Sequence, residues 1–299
     1  MHPSDFIPHH ALVQREGAEP AGWMLILHGI FGSGANWRTF ARRLAAECPA
    51  WGFVLVDLRG HGLTQHAPPP NTIAAAADDL IRLEARLREP GEGRPPLRIA
   101  GVSGHSFGGK VALAYIARRM GAPLDQTWVL DANPGARSEG PGGDSTARVL
   151  GAIEAMPDRI ASREQFIEII EAQGHTHAIA AWLAMNLRRE GDGYRFRLDV
   201  SALRPLLSDY FATDLWPLIE QPDPLRSQVI HVVVGGRSEV FGPESRARLE
   251  VAFGPLIRAH VLDKAGHWLH VDDFDGLFAL FRGELMAGPV ALGSPDAPR

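Results

Sequence analysis

The sequence predicts an α/β fold, a mainly parallel central sheet with helices on both faces. Three observations carry this reading. Compact apolar runs at residues 23–27, 53–56, 97–102, 127–130 and 229–234 show no polar alternation, which marks strands buried on both sides. Helical patterns separate several of them, as parallel neighbours require. Polar motifs follow the runs directly, at the carboxyl ends of the strands, where open α/β sheets bind their ligands.

Taken in order, residues 6–15 have room for an edge strand, and residues 17–22 read as a hairpin turn. The run 23–27 ends in His28-Gly29-Ile30-Phe31-Gly32-Ser33. Asn36 opens a helical pattern to about Cys48, punctuated by Pro49 and Gly52. The run 53–56 leads into Asp57-Leu58-Arg59-Gly60-His61-Gly62, and Thr72 caps a helix to about Arg88. A Gly/Pro/charge loop at 90–96 precedes the third run. The fourth run ends in Asp131-Ala132-Asn133-Pro134.

There the rhythm breaks. Residues 135–144 are rich in Gly, Ser and Pro. From about 145 to 220 the pattern is helical and irregular, without a buried β run; helices are expected at 147–156, 163–173 and 178–188, with a turn at Gly191-Asp192-Gly193. Strands resume at 229–234 and 259–262, and a helix at about 274–286 ends the fold. The expected organisation is therefore a core of residues 1–134 and 227–287, a helical cap at 135–226, and a frayed tail at 288–299.

Composition narrows the function classes. A chain of 299 residues buries a large core, and a net charge of −5 carries no signal for binding nucleic acid. Cys48 is the only cysteine, so neither an intrachain disulfide nor a cysteine zinc site is available. No apolar run approaches the length of a membrane span, and no basic-then-apolar leader opens the chain. The expectation is a cytoplasmic protein, monomer or homodimer, without a membrane span.

The most informative stretch is Gly104-His105-Ser106-Phe107-Gly108, followed by the helical pattern Val111, Ala112, Leu113, Tyr115, Ile116. A strand, a sharp turn and a helix with serine at the bend are the context a nucleophile elbow needs. The residues two before and two after the serine must be tiny, and both are glycine. With this glycine content about 0.15 accidental matches are expected per chain, so the flanking strand and helix matter as much as the pattern. The plain alternative is a glycine-rich turn with a capping serine.

Four motifs in this order resemble the α/β-hydrolase superfamily over roughly residues 20–285: His28-Gly29-x-x-Gly32-Ser33, Asp57-x-x-Gly60-His61-Gly62, the elbow, and Ala265-Gly266-His267-Trp268. Finer detail is similar to small bacterial esterases and their mitochondrial α/β-hydrolase-domain relatives. The residues are 27–33, 104–110, Leu130-Asp131-Ala132-Asn133-Pro134, Trp182-Leu183-x-x-Asn186-Leu187, Tyr194-x-Phe196-Arg197 and Gly235-Gly236-Arg237-Ser238.

The resemblance implies an α/β-hydrolase fold with a cap. It also implies cleavage of small carboxylic esters of short to medium acyl length through an acyl-serine, without a cofactor. Ser106 is then the nucleophile and His267 the base, with His270 a nearby competitor. The backbone N–H groups of Ile30 and Phe107 form the oxyanion hole. Most members of the superfamily carry the acid after the strand 229–234, but Ser238 stands there. Asp131 is the alternative place and is preferred over Glu239, with an Asx turn before Pro134 as its plain reading. Ser238 is left to hydrogen-bond to the imidazole. Asp57 and Arg59 are expected to brace loops, and His105 to wall the pocket. His175-Thr176-His177 lacks a third ligand at metal-site spacing, so no metal is expected. Phe166, Trp182, Met185, Phe211 and Trp216 are expected to pack the cap, a minority lining the pocket. Thioester or C–C bond hydrolysis, acyl transfer and perhydrolysis on the same triad remain open, as does a non-catalytic ligand-binding member of the fold.

Overall fold

A computed structural model of the protein describes residues 6–91, 93–137, 145–157 and 159–290. Most of the Gly/Ser/Pro-rich stretch (138–144) and most of the expected tail (291–299) lie outside the described residues. Among those described, seven strands form one sheet. In spatial order they are β1 (His10–Val13), β3 (Trp51–Val56), β2 (Gly22–Leu27), β4 (Ile99–His105), β5 (Gln126–Leu130), β8 (Ile230–Gly235) and β9 (Ile257–Leu262). Only β1 is antiparallel, paired to β3 at the edge; the other pairings are parallel.

Each strand feeds both faces because successive side chains alternate. On β2, Leu25 and Leu27 join one core, while Met24 and Ile26 join the other. The first core is covered by α2 (Ile73–Arg88) and α3 (Phe107–Arg118), through residues such as Leu80, Leu83, Val111 and Tyr115. The second is covered by α1 (Arg38–Glu47) and α11 (Phe274–Leu285), through Phe40, Leu44, Phe281 and Leu285. Each fully buried side chain of this size contributes about 1.5–3 kcal/mol. Thr72 caps α2 as expected, its Oγ1 accepting from Ala75 N at 3.1 Å.

Between β5 and β8 lie α4 (Ser145–Glu154), α5 (Arg163–Ala172), α6 (His177–Leu183), α7 (Val200–Ala212) and α8 (Pro217–Glu220). The helix expected at 178–188 stops at Leu183. A 3-10 turn and a hairpin of β6 (Leu187–Glu190) and β7 (Gly193–Phe196) follow. Gly191 opens the hairpin turn at φ +62°, a conformation glycine adopts without strain. Charged side chains along β6 hide the strand from any apolar pattern. The sequence reading also lacked α7, α9 (Pro243–Ala252) and α10 (Leu269–Asp272).

One buried cation anchors this segment to the core. The Lys110 ammonium, on the first turn of α3, donates to the carbonyls of Gly135 (2.8 Å), Tyr210 (2.6 Å) and Thr213 (2.8 Å). Burial pushes its pKa down to about 7.

Candidate active site

Ser106 sits between β4 and α3 with φ +53° and ψ −116°, a strained conformation for a residue with a Cβ. The glycines around it are a geometric requirement. A Cβ on Gly104 would lie 2.0 Å from the Gly108 carbonyl oxygen, and one on Gly108 would lie 2.6 Å from the His28 oxygen. The bend presents Oγ above the sheet, at the start of α3, whose N-terminal amides favour negative charge.

His267 lies on the loop between β9 and α10. Its Nε2 is 3.0 Å from Ser106 Oγ, and its Nδ1 is 2.7 Å from Asp131 Oδ2. An ionised carboxylate only accepts, so Nδ1 carries the proton and Nε2 is free to accept from the serine hydroxyl. Asp131 is fully buried at the end of β5, with φ +43°. It accepts two further hydrogen bonds from the end of β8, from Gly235 N (3.0 Å) and Ser238 Oγ (2.5 Å). Ser238 therefore contacts the carboxylate, which corrects the expectation of a hydrogen bond to the imidazole ring. Glu239 is exposed and makes no hydrogen bond or ion pair with His267 among the described residues.

The loop bearing His267 is pressed against the end of β8, and glycine makes room for it. A Cβ on Gly235 would come within 2.3 Å of Gly266 O, and one on Gly236 within 2.7 Å of Asp263 Cα. His105 holds the same loop from below, donating from Nε2 to the His267 carbonyl oxygen at 2.7 Å. Burial drives the His105 pKa well below 6.5, helped by His267 and His270. His270 is held at about 4, first by burial and then by His267, and stacks on Trp37 at 4.4 Å.

The loop after β2 faces the serine. It is pinned by two buried neutral histidines. His61 Nδ1 donates to Arg59 O (2.8 Å) and its Nε2 accepts from Phe31 N (3.2 Å). His28 Nδ1 donates to Gly29 O (2.8 Å) and its Nε2 accepts from Leu58 N (3.0 Å). Burial lowers both, His61 to about 3. Asn186, from the segment between β5 and β8, donates to Phe31 O at 2.7 Å. Asp57 braces the neighbouring loops, accepting from Gly34 N (2.8 Å) and Leu63 N (2.9 Å). Arg59 makes a two-pronged pair with buried Asp79. Of the two residues expected as oxyanion donors, Ile30 lines the cavity with Ser106, and Phe107 is the first residue of α3.

Above Ser106 is a cavity of about 120 Å³ walled largely by apolar groups, among them Phe31, Trp37, Val149, Ile179, Trp182 and Trp268. Of the bulky residues expected to pack the cap, Phe166, Phe211 and Trp216 are buried, Met185 is exposed, and Trp182 faces the site. Val149 and Ile179 went unnoticed in the sequence, where nothing distinguishes them from other apolar positions on α4 and α6. His177 pairs with Glu171 at 2.7 Å on the surface. Among the described residues no group of three or more His, Cys, Asp or Glu is disposed to hold a metal. No helix among them is long and apolar enough to cross a membrane.

Known proteins agree with this architecture. The chain is similar to the mouse sn-1-specific diacylglycerol lipase ABHD11, 24% identical over 256 residues, covering 83% of this chain and 76% of that protein. It is 27% identical to esterase YbfF of Escherichia coli over 266 residues, covering 87% and 91%. Among solved structures, a marine microorganism esterase superposes with a TM-score of 0.72 at 19% identity, covering 94% of this chain and 99% of that one. The model of the alpha/beta hydrolase family matches residues 24–280. With that match over most of its length, the chain belongs to the alpha/beta hydrolase family.

Proposed function

We propose that the protein is a serine hydrolase of small carboxylic esters, acting through an acyl-enzyme on Ser106. The observation that carries the reading is the chain of contacts Ser106 Oγ, His267 and Asp131, at 3.0 and 2.7 Å, with the serine in a strained turn. A serine hydroxyl is unreactive near neutral pH until a base takes its proton as it attacks. Two relatives named as an esterase and a lipase support the same chemistry.

In the first step His267 Nε2 takes the Oγ proton while Oγ bonds to the ester carbonyl carbon. The imidazolium keeps its Nδ1–H on Asp131, whose charge stabilises it. The oxyanion accepts from the N–H groups of Ile30 and Phe107; each such donor is worth about 10²–10³ in rate. Collapse breaks the C–O bond, and His267 gives its proton to the departing alkoxide. Water then attacks the acyl carbon, loses a proton to His267, and the acid leaves as Oγ is reprotonated.

The segment 135–226 is read as a cap that shields these steps from bulk water. The small apolar cavity favours short to medium acyl chains. Turnover of p-nitrophenyl acetate, butyrate and octanoate tests the reading. Ser106→Ala is expected to abolish turnover in a folded protein, and wild-type-like turnover in that variant rejects the mechanism.

A further inference from the structure

We propose that the outer face of the β6–β7 hairpin is a binding site for a phosphate monoester group, separate from the serine cavity. A cleft of about 320 Å³ lies between this hairpin and the loop after β3. Its walls include Arg188, Glu190, Arg195, Arg197, Gln65 and His66. Strand alternation puts Arg188 and Glu190 of β6 on one face, with Arg195 of β7 and Arg197 just beyond it.

The arrangement of charge is unfavourable for an empty surface. Arg188 and Arg195 are direct cross-strand partners, and like charges so opposed destabilise a hairpin. Among the described residues Glu190 answers only Arg195, at 3.5 Å. The Arg188 guanidinium has no hydrogen bond or ion pair among the described residues. Arg197 lines the same cleft, and its Nε, screened from solvent, has no hydrogen-bond partner among the described residues, a cost for a charged group. Among the described residues, the other ion pair on this hairpin, Arg159 with Asp192, lies out at the turn.

Among the lining residues three guanidinium groups stand against one carboxylate, a surplus of two positive charges; a further carboxylate, Asp199, lies at the edge, 4.0 Å from His66. A phosphate monoester carries about −1.5 to −2 charge near neutral pH and offers three acceptor oxygens. Guanidinium forks match such oxygens two at a time, so the dianion fits both the charge and the geometry better than a single carboxylate. The cleft has room for the phosphate and a small organic group. It adjoins the reactive site without sharing its serine: Arg197 N donates to Asn186 O at 2.8 Å, and Asn186 holds Phe31.

Calorimetric titration of the full chain with inorganic phosphate and phenyl phosphate tests this, with chloride at matched ionic strength as the blank. Sedimentation with phosphatidylcholine vesicles containing phosphatidate, or lacking it, forms the second arm. Saturable one-to-one binding is expected, retained in Ser106→Ala, so it stands or falls apart from the hydrolase reading. Arg188→Gln and Arg197→Gln are each expected to weaken it about tenfold, with Arg188→Lys, which keeps charge but loses the fork, weakened less. Arg188 is exposed, so its variants keep the fold. Response to the soluble esters identifies a free ligand; response to phosphatidate vesicles alone identifies a lipid headgroup. Absence of response in both arms, or full binding in both glutamine variants, overturns the proposal.

Discussion

The ends of β5 and β8 lie side by side in the sheet, yet they treat His267 in opposite ways. From β5 comes Asp131, fully buried, with its carboxylate on the imidazole. Only donors come from β8: Gly235 N–H and Ser238 O–H, both directed at that same carboxylate. The carboxylate next along the chain, Glu239, is turned to solvent. The contrast teaches that where a buried carboxylate can meet the imidazole is a property of the pair of strand ends. A buried carboxylate is tolerated when three donors share its charge, and β8 supplies two of the three. A second carboxylate at position 238 would meet Asp131 at hydrogen-bonding distance, where like charges raise the cost of burial.

The sharpest way to break this contrast is Asp131→Asn, which keeps size and removes charge. Turnover is expected to fall about 10³–10⁴-fold with the fold retained, measured as kcat on p-nitrophenyl butyrate. Gly235→Ala comes next. Its methyl meets Gly266 O, so the loop bearing His267 must move, and a displacement near 1 Å costs about 10²-fold in kcat. Ser238→Ala removes one donor from the carboxylate and leaves the others; a loss of about tenfold in kcat/KM is expected, with KM little changed. Glu239→Gln should stay within about twofold, since an exposed side chain away from the imidazole contributes little.

Stability should follow pH through the buried histidines. His61 is held at about 3, His270 at about 4 and, on β8 itself, His231 at about 3, each chiefly by burial. All three start from 6.5 when exposed. Above 6.5 both folded and unfolded chains leave them neutral, so the native state keeps its full advantage. As pH falls from 6.5 towards 4, the unfolded chain binds protons that the native chain refuses, and stability drops. Thermal melts at pH 7.5, 6.0 and 5.0 are expected to show a falling Tm; a Tm constant across that range contradicts neutral burial.

The sheet and the elbow were legible in the sequence for a physical reason. Strands buried on both faces must be apolar throughout, and a strained serine needs glycines at fixed offsets, so residues 23–27 and 104–108 announce themselves. The preference for Asp131 over Glu239 also came from the sequence, through the serine at 238. What stayed hidden depends on contacts across the fold. The donors that meet Asp131 come from residues more than 100 positions away, and no local pattern encodes them. The β6–β7 hairpin was hidden because Arg188, Arg189 and Glu190 face outward, leaving one buried residue on the strand. The helix α9 was missed similarly, with Leu249 its only buried side chain.

The central claim is that Ser106 is activated by a base whose acid comes from β5 and not β8. The rate of Ser106 labelling by a fluorophosphonate, followed by intact mass in wild type, Asp131→Asn and Glu239→Gln, measures this directly. The account predicts one adduct on Ser106, formed at an unchanged rate in Glu239→Gln and at least about 10²-fold more slowly in Asp131→Asn. Rapid labelling of Asp131→Asn, or slow labelling of Glu239→Gln, would contradict it.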